Sequence, residues 1–383
     1  MRCTFPLKFG IQEQRLASLE TPVKFIYCIC NEDVKNHLKH EWAFYCPASS
    51  FAFSTTFTPA SKNIDEQVSA RVLMTFKIPP QMNEKKWQLD RPVFSQRSGL
   101  MIDKFPSLEQ ATRAFEEMAH KQEVKPVLIN IGGDGKINEQ DEKSFFETLK
   151  NMHDRTIIFE IFEVKKKNAP ESDYFLGKSF LSPLEFVMRE QAIEVLSDAP
   201  SRAYKKILEG LKLNAIFNPE QLIKNDVVLE VGSSPGGASY ALVKKGAKVI
   251  GLDPGAMDER LLLDRENFFH VQKPIQDFKL MGSQSDLKSC AFFQQKIDWV
   301  LVDMNLSPIA SLKEMQKVFE NDYVSKSLKG AFMTLKMTDL KYVEQLEGIG
   351  KFAAKFNLRL LQLTSLKSHK KEVVMILGSS LQQ

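Results

Sequence analysis

From about residue 195 the chain carries short apolar runs at intervals, with amphipathic stretches between them: VVLEV (227–231), VIGLD (249–253), DWVLVD (298–303), GAFMTLK (330–336), LRLLQLT (358–364) and EVVMILG (372–378). Strand-length apolar runs that alternate with helical segments specify an open, mostly parallel α/β sheet covered by helices on both faces. No other feature of the sequence restricts the fold as tightly.

The first half reads as mixed α and β structure. Strand-like runs occur at Val23–Cys30 and Val72–Ile78, separated by the polar stretch Phe53–Asn63. The segment Ile78–Pro92, with paired prolines and little periodicity, is a loop or a boundary. A helix is expected over Ser107–Gln122, where Ser107 caps and Leu108, Ala111, Phe115 and Met118 share one face. The run after it superficially resembles a calcium loop, through Asn130, Asp134, Gly135, Ile137 and Asp141. Gly132 stands where an oxygen ligand is needed and the closing Glu is missing, so it reads as a Gly-rich turn and no metal site is expected. Arg155–Val164 is a strong strand candidate, and Lys165, Lys166 and Lys167 follow it in a solvated turn. With 383 residues the chain is too long for one ordinary domain. The expected division is an α+β subdomain over 1–90, an α+β region over 91–180 and an α/β domain over 181–383.

Composition narrows the class without naming it. Hydrophobic residues at 43% and charged residues at 26% suit a globular protein, and a net charge of +4 is compatible with a polyanionic partner without requiring one. The five cysteines, Cys3, Cys28, Cys30, Cys46 and Cys290, form no C-x-x-C pair, which disfavours a disulfide framework or zinc ribbon. The chain shows neither the apolar stretch of a signal peptide nor an apolar run of about 18 residues. The expectation is a cytoplasmic protein with reduced thiols and no membrane partner.

In open α/β sheets ligands bind beyond the carboxyl ends of the strands, where the first strand runs into a Gly-rich turn. Here that turn is Gly232-Ser233-Ser234-Pro235-Gly236-Gly237. Its glycines let the backbone approach a ligand without a Cβ in the way. The spacing is not the G-x-G-x-x-G of a nicotinamide site, and a proline interrupts it. Asp253 ends the next strand, where an acid accepts hydrogen bonds from ribose hydroxyls. Together these features fit S-adenosylmethionine.

The run VLEVGSSPGGASYALVKKGAKVIGLDPGAM resembles the cofactor segment of the FtsJ/RrmJ-type ribose 2′-O-methyltransferases. With DAPSRAYKKILEGL before it and VDMNLSP, FMTLKM and SHKKEV after it, the chain is more closely similar to the large-subunit ribosomal RNA methyltransferase M (RlmM) subgroup, over roughly Ser182 to Leu377. The resemblance implies a class I, Rossmann-like methyltransferase domain with a catalytic tetrad of Lys206, Asp303, Lys336 and Glu372. It implies cofactor contacts from Ser201, Gly232, Ser233, Pro235, Gly236, Gly237, Asp253 and Asp303. Lys206 is preferred to Lys205 because five residues separate it from Ser201, as in the family pattern. Where the family carries an acid that contacts the adenine, this chain has Pro274, with Asp277 three residues later. The resemblance also implies RNA as partner, a cytidine of 23S ribosomal RNA as target, and a THUMP-like RNA-binding module in the first half.

Strand direction supports three of the four positions independently. In the usual methyltransferase sheet the strands ending at Asp303 and Lys336 are parallel, and the antiparallel last strand begins at Glu372, so all three reach one edge. The chemistry wants a lysine whose pKa falls below about 10.4 to accept the hydroxyl proton. Lys336 is the candidate base, with Lys206 lowering its pKa or positioning the nucleophile, and Asp303 and Glu372 holding the lysines. Lys165–Lys167, Lys367, Lys370 and Lys371 are candidate phosphate contacts. The rival readings are a methyltransferase of a non-RNA substrate, which needs no second lysine, and a non-catalytic RNA-binding relative.

Overall fold

The two halves of the chain build two different sheets, one almost wholly antiparallel and one mostly parallel. The computed structural model describes residues 25–45, 50–56, 71–77, 95–121, 126–132, 137, 142–152, 156–166, 170–293, 296–321, 324, 327–356 and 358–379. These fall in two compact units, one within Pro6–Gln191 and one containing Ala192–Gln383.

The first unit holds strands β1 (Phe25–Asn31), β2 (Ser50–Thr56), β3 (Arg71–Lys77), β4 (Arg97–Phe105), β5 (Val127–Ile131), β6 (Ile158–Lys165) and β7 (Ser172–Ser179), joined in the order β2-β3-β1-β4-β7-β6-β5. Neighbours are antiparallel except β5 and β6. Because β1 pairs with β4, the expected division near residue 90 falls inside one sheet. Helices α1 (Lys35–Tyr45), α2 (Leu108–Ala119), α3 (Glu142–Lys150) and α4 (Pro183–Glu190) complete it. Ser107 caps α2 as expected, its Oγ accepting from the Gln110 amide at 3.3 Å. Side chains of β6 alternate between two cores: Ile158 and Phe162 pack with Phe146 and Leu149 of α3 and Phe186 of α4, whereas Phe159 and Ile161 pack with Ala111 of α2. The proline-rich stretch 78–92, and residues 133–136 and 138–141 of the calcium-like loop, lie outside the described residues.

The second unit contains α5 (Ala203–Phe217), β8 (Val227–Val231), α6 (Gly237–Lys244), β9 (Lys248–Leu252), α7 (Glu259–Leu263), β10 (Phe268–Val271), β11 (Trp299–Val302), α8 (Pro308–Phe319), β12 (Gly330–Lys336), α9 (Leu346–Phe352), β13 (Leu358–Thr364) and β14 (Glu372–Ser379). The strand order is β10-β9-β8-β11-β12-β14-β13, parallel from β10 to β12, with β14 antiparallel to both its neighbours. Every residue of β8 and β11 is buried, which is why these strands read as unbroken apolar runs. From β8 the chain builds one half of the sheet outward and returns to build the other from β11, so the switch point lies beyond the carboxyl ends of β8 and β11. At the opposite edge Asp226 accepts from Trp299 Nε1 at 2.9 Å and pairs with Lys329 at 2.6 Å, tying the amino ends of β8, β11 and β12 together.

In the first unit the Tyr27 side chain crosses the sheet rather than standing on it. Its hydroxyl donates to Glu160 on β6 over the two intervening strands. Gly99 and Gly177 leave the room: a Cβ on Gly99 would meet Tyr27 Oη at 2.5 Å, and one on Gly177 would meet Tyr27 Cε1 at 2.6 Å. Gly177→Ala should therefore destabilise this unit by about 1–3 kcal/mol through overpacking. Urea unfolding followed by fluorescence reads the change, and Tyr27→Leu in the same chain should recover part of it.

Candidate functional site

Four expected residues come from four separate elements and meet in a closed ring. Asp303 follows the last residue of β11, and its amide donates to the Val231 carbonyl at 2.9 Å. Lys336 ends β12, directly opposite Glu372, the first residue of β14. Lys206 lies in the first turn of α5, which packs on α6, β13 and β14. Lys206 Nζ is 2.9 Å from Asp303 Oδ2 and 2.8 Å from Glu372 Oε2. Lys336 Nζ is 2.6 Å from Asp303 Oδ1 and 2.6 Å from Glu372 Oε1. Each lysine thus bridges both acids, and each acid gives one oxygen to each lysine. The side chains are only 15–25% exposed, so the pairing is screened far less than on an open surface.

The electrostatics of the ring run against a resting base. Burial alone would lower Lys336, yet Asp303 and Glu372 outweigh it and hold the ammonium above the usual lysine value. For Glu372 burial pulls upward, but the positive charges of His369, which is protonated only in that acid range, and of Lys206 and Lys336 win and take it down to about 2. The expected lowering of Lys336 by Lys206 is therefore absent from the closed ring, because two carboxylates at contact distance prevail over one second cation.

The Gly-rich turn lies beside this ring. Gly232 and Gly236 have φ of +84° and +111°, where a side chain is strained. The space their side chains would need is filled by the protein itself. A Cβ on Gly232 would meet the Asp303 carbonyl oxygen at 2.4 Å, one on Gly236 would meet Leu261 at 2.4 Å, and one on Gly237 would meet Ser201 Oγ at 2.2 Å. These glycines dock the turn against the tetrad acid, α7 and Ser201, two residues before α5, a reason different from ligand approach. Ser234 Oγ donates to the Ala256 carbonyl at 2.6 Å, and the Asp258 amide to that of Pro235 at 3.1 Å, fastening the turn to the segment after β9.

The cofactor positions differ in what they present. Asp253 Oδ1 accepts from the Gly255 amide at 2.7 Å, while Oδ2 has no hydrogen-bond partner among the described residues and suits a hydroxyl donor. The Ser233 side chain does not suit a cofactor contact: it is 2% exposed, with Oγ packed against Gly251 and without a hydrogen-bond partner, so only its backbone is available. Ser201 Oγ accepts from the Ala203 amide at 3.3 Å. Asp277 is exposed in a short 3-10 turn after Pro274. Among the candidate phosphate contacts, Lys370 and Lys371 are exposed beside Glu372, whereas Lys166 is paired with Asp173 at 3.3 Å.

Two residues here escaped the sequence reading. Glu230 on β8 is 3% exposed and accepts from Ser239 Oγ at 2.5 Å. Burial pushes its carboxyl up to about 8, opposed by Ser239 and reinforced by Asp303 and Asp253. A lone acid inside the apolar run VVLEV was the available signal. His369 is buried in the turn before β14, where burial takes its imidazole down to about 4 and leaves it neutral at neutral pH. It stands within the SHKKEV run that carries the resemblance, but no spacing there assigns it a role.

Residues 199–362 match the model of the FtsJ-like methyltransferase family. Among curated proteins, a ribosomal RNA large subunit methyltransferase M of Haemophilus influenzae (strain PittEE) is 26% identical over 295 residues, covering 72% of this chain and 78% of that protein. One of Marinomonas sp. (strain MWYL1) is 24% identical over 174 residues, covering 42% and 43%. The uncharacterized protein MJ1257 of Methanocaldococcus jannaschii is 27% identical over 155 residues, covering 39% of each chain. The chain spans about two fifths of the length of these last two relatives. The second unit therefore has a class I, Rossmann-like methyltransferase fold, with S-adenosylmethionine as its cofactor. Among the described residues no helix is long and apolar enough to cross a membrane.

Glu230 makes stability depend on pH with a definite sign. Its folded value of about 8 lies above the ordinary 4.5, so the folded state holds a proton the unfolded chain has released. Stability falls as pH rises through that window, by up to about 1.4 kcal/mol per unit. Glu230→Gln should flatten this limb of the urea midpoint against pH, and equal slopes in the two proteins would refute the assignment.

Proposed function

We propose that the second unit transfers a methyl group from S-adenosylmethionine to a ribose 2′-hydroxyl of RNA, with a cytidine of 23S ribosomal RNA as the target. The observation that carries this reading is the closed Lys206–Asp303–Lys336–Glu372 ring beside the Gly-rich turn. A second lysine is superfluous for many methyl acceptors. It has a use where an alcohol must be held and deprotonated at one place.

The residues divide the work as follows. The turn Gly232–Gly237 and the unengaged Asp253 Oδ2 suit the cofactor's backbone-lined and ribose ends, while Pro274 offers its base no carboxylate and exposed Asp277 stands three residues on. When bound, the cofactor supplies a sulfonium methyl as electrophile. Lys336 Nζ has three hydrogens, of which Asp303 and Glu372 take two, leaving the third direction for the substrate oxygen. Lys206 holds the other oxygen of each acid and so fixes the angle at which they grip Lys336. Lys336 must surrender a proton before its nitrogen can take one from the hydroxyl. The two carboxylates delay that loss, which places the active form on the alkaline side. Exposed Lys370 and Lys371 next to Glu372 suit phosphates flanking the target, and the first unit serves as the RNA-holding, THUMP-like module.

The test is transfer of labelled methyl groups to unmodified ribosomal RNA and tRNA. Lys336→Ala should lose about 100- to 10,000-fold in rate with cofactor binding intact. The wild-type rate should climb with pH from neutral into the alkaline range. A plateau near neutral pH would contradict Lys336 as the base held by both acids.

A further inference from the structure

The turn that delivers Glu372 is held in place from α5. Glu209 stands one helical turn beyond Lys206 and therefore on the same face of α5. Its Oε2 accepts from both the amide and the hydroxyl of Ser368, each at 3.1 Å. Ser368 lies in the connection between β13 and β14, three residues short of being adjacent to Glu372. The connection is folded on itself: the His369 amide donates to the Leu366 carbonyl at 3.2 Å, and the Leu366 amide to His369 Nδ1 at 3.3 Å. Its far end is pinned by the Met337 amide, which donates to the Lys371 carbonyl at 2.8 Å directly after Lys336.

We propose that Glu209 is a positioning residue of the methyl-transfer site: by gripping Ser368 it sets where Glu372 stands, and through Glu372 how Lys336 and Lys206 are held. The inference rests on the reading of Lys336 as the base. The helix touches the segment at two points, Lys206 on Glu372 and Glu209 on Ser368. The first contact alone fixes a distance. The second, a few residues away, removes the freedom of the turn to swing about it. Two donors on one carboxylate oxygen make charge-assisted bonds, stronger than those a neutral amide would form. Burial raises the Glu209 carboxyl above its usual value, and the Ser368 amide and hydroxyl, with Lys367 and Lys212, draw it only part of the way back. A small displacement of a reacting group is costly in rate even when the fold survives.

Glu209→Gln in the full-length chain tests this with two readouts. Amide hydrogen exchange should quicken by roughly tenfold over residues 366–372 while β11 and β12 exchange as in the wild type. In the transfer assay kcat should fall by roughly ten- to a hundredfold with KM for S-adenosylmethionine unchanged. Ser368→Ala, which keeps the amide bond and loses the hydroxyl, should show the same pattern more weakly and add nothing further to Glu209→Gln. It also carries both readouts if the first variant does not fold. Unchanged exchange over 366–372, or loosening spread across the whole unit, would overturn the proposal. Absence of transfer by the wild type to every RNA would sink the functional reading instead, and the exchange result would still decide whether Glu209 holds this turn.

Discussion

The ring of Lys206, Asp303, Lys336 and Glu372 is the interaction around which the second unit is arranged. Drawing a single charge into a partly buried strand edge costs roughly several kcal/mol, and removing one member of such a set leaves the others uncompensated. The alternation of sign around the ring lets all four sit there together, each oxygen and each ammonium engaged. It demands that four chain segments arrive at one point with tolerances of a few tenths of an ångström. Parallel β11 and β12 end at the same edge, antiparallel β14 begins there, and α5 crosses above.

The Gly-rich turn is part of the same construction. Its close packing on Asp303 and Ser201 means that the cofactor loop, the acid of β11 and the entry to the lysine-bearing helix are set in one register. A Cβ at Gly232 would displace the tetrad acid whether or not a ligand were nearby. Glu230 lies beneath, a carboxyl kept protonated by burial amid two further acids. As a neutral group it lets β8 run through the core without adding a third negative charge beside Asp253 and Asp303. The ring also has a chemical consequence: the contacts that place Lys336 so firmly hold its proton as well, so positioning and basicity pull in opposite directions.

The second unit was largely legible in the sequence because a buried parallel sheet writes itself as apolar runs, and because strand direction fixes which ends share an edge. Asp303, Lys336 and Glu372 could be placed together on that ground alone, whereas Lys206 came only through the resemblance, since a helix outside the sheet has no such register. The first unit was legible in part, as Ser107 capping α2 and the strand expected over Arg155–Val164 show. Its pairing was not: β1 joins β4 across a long connection, a choice set by side chains such as Tyr27 reaching over Gly99 and Gly177 to Glu160.

By itself, then, the sequence determined the α/β alternation, the position of the turn after β8 and the residue types brought to the carboxyl edge, because these depend on periodicity and local backbone preference. Tertiary structure alone decided that Ser233 turns inward, that the loop glycines face protein, that Glu230 and His369 are neutral, and that Glu209 grips Ser368. Each of these depends on what stands a few ångströms away in space from residues distant in the chain. Burial and charge act through that distance, which no spacing in the sequence records.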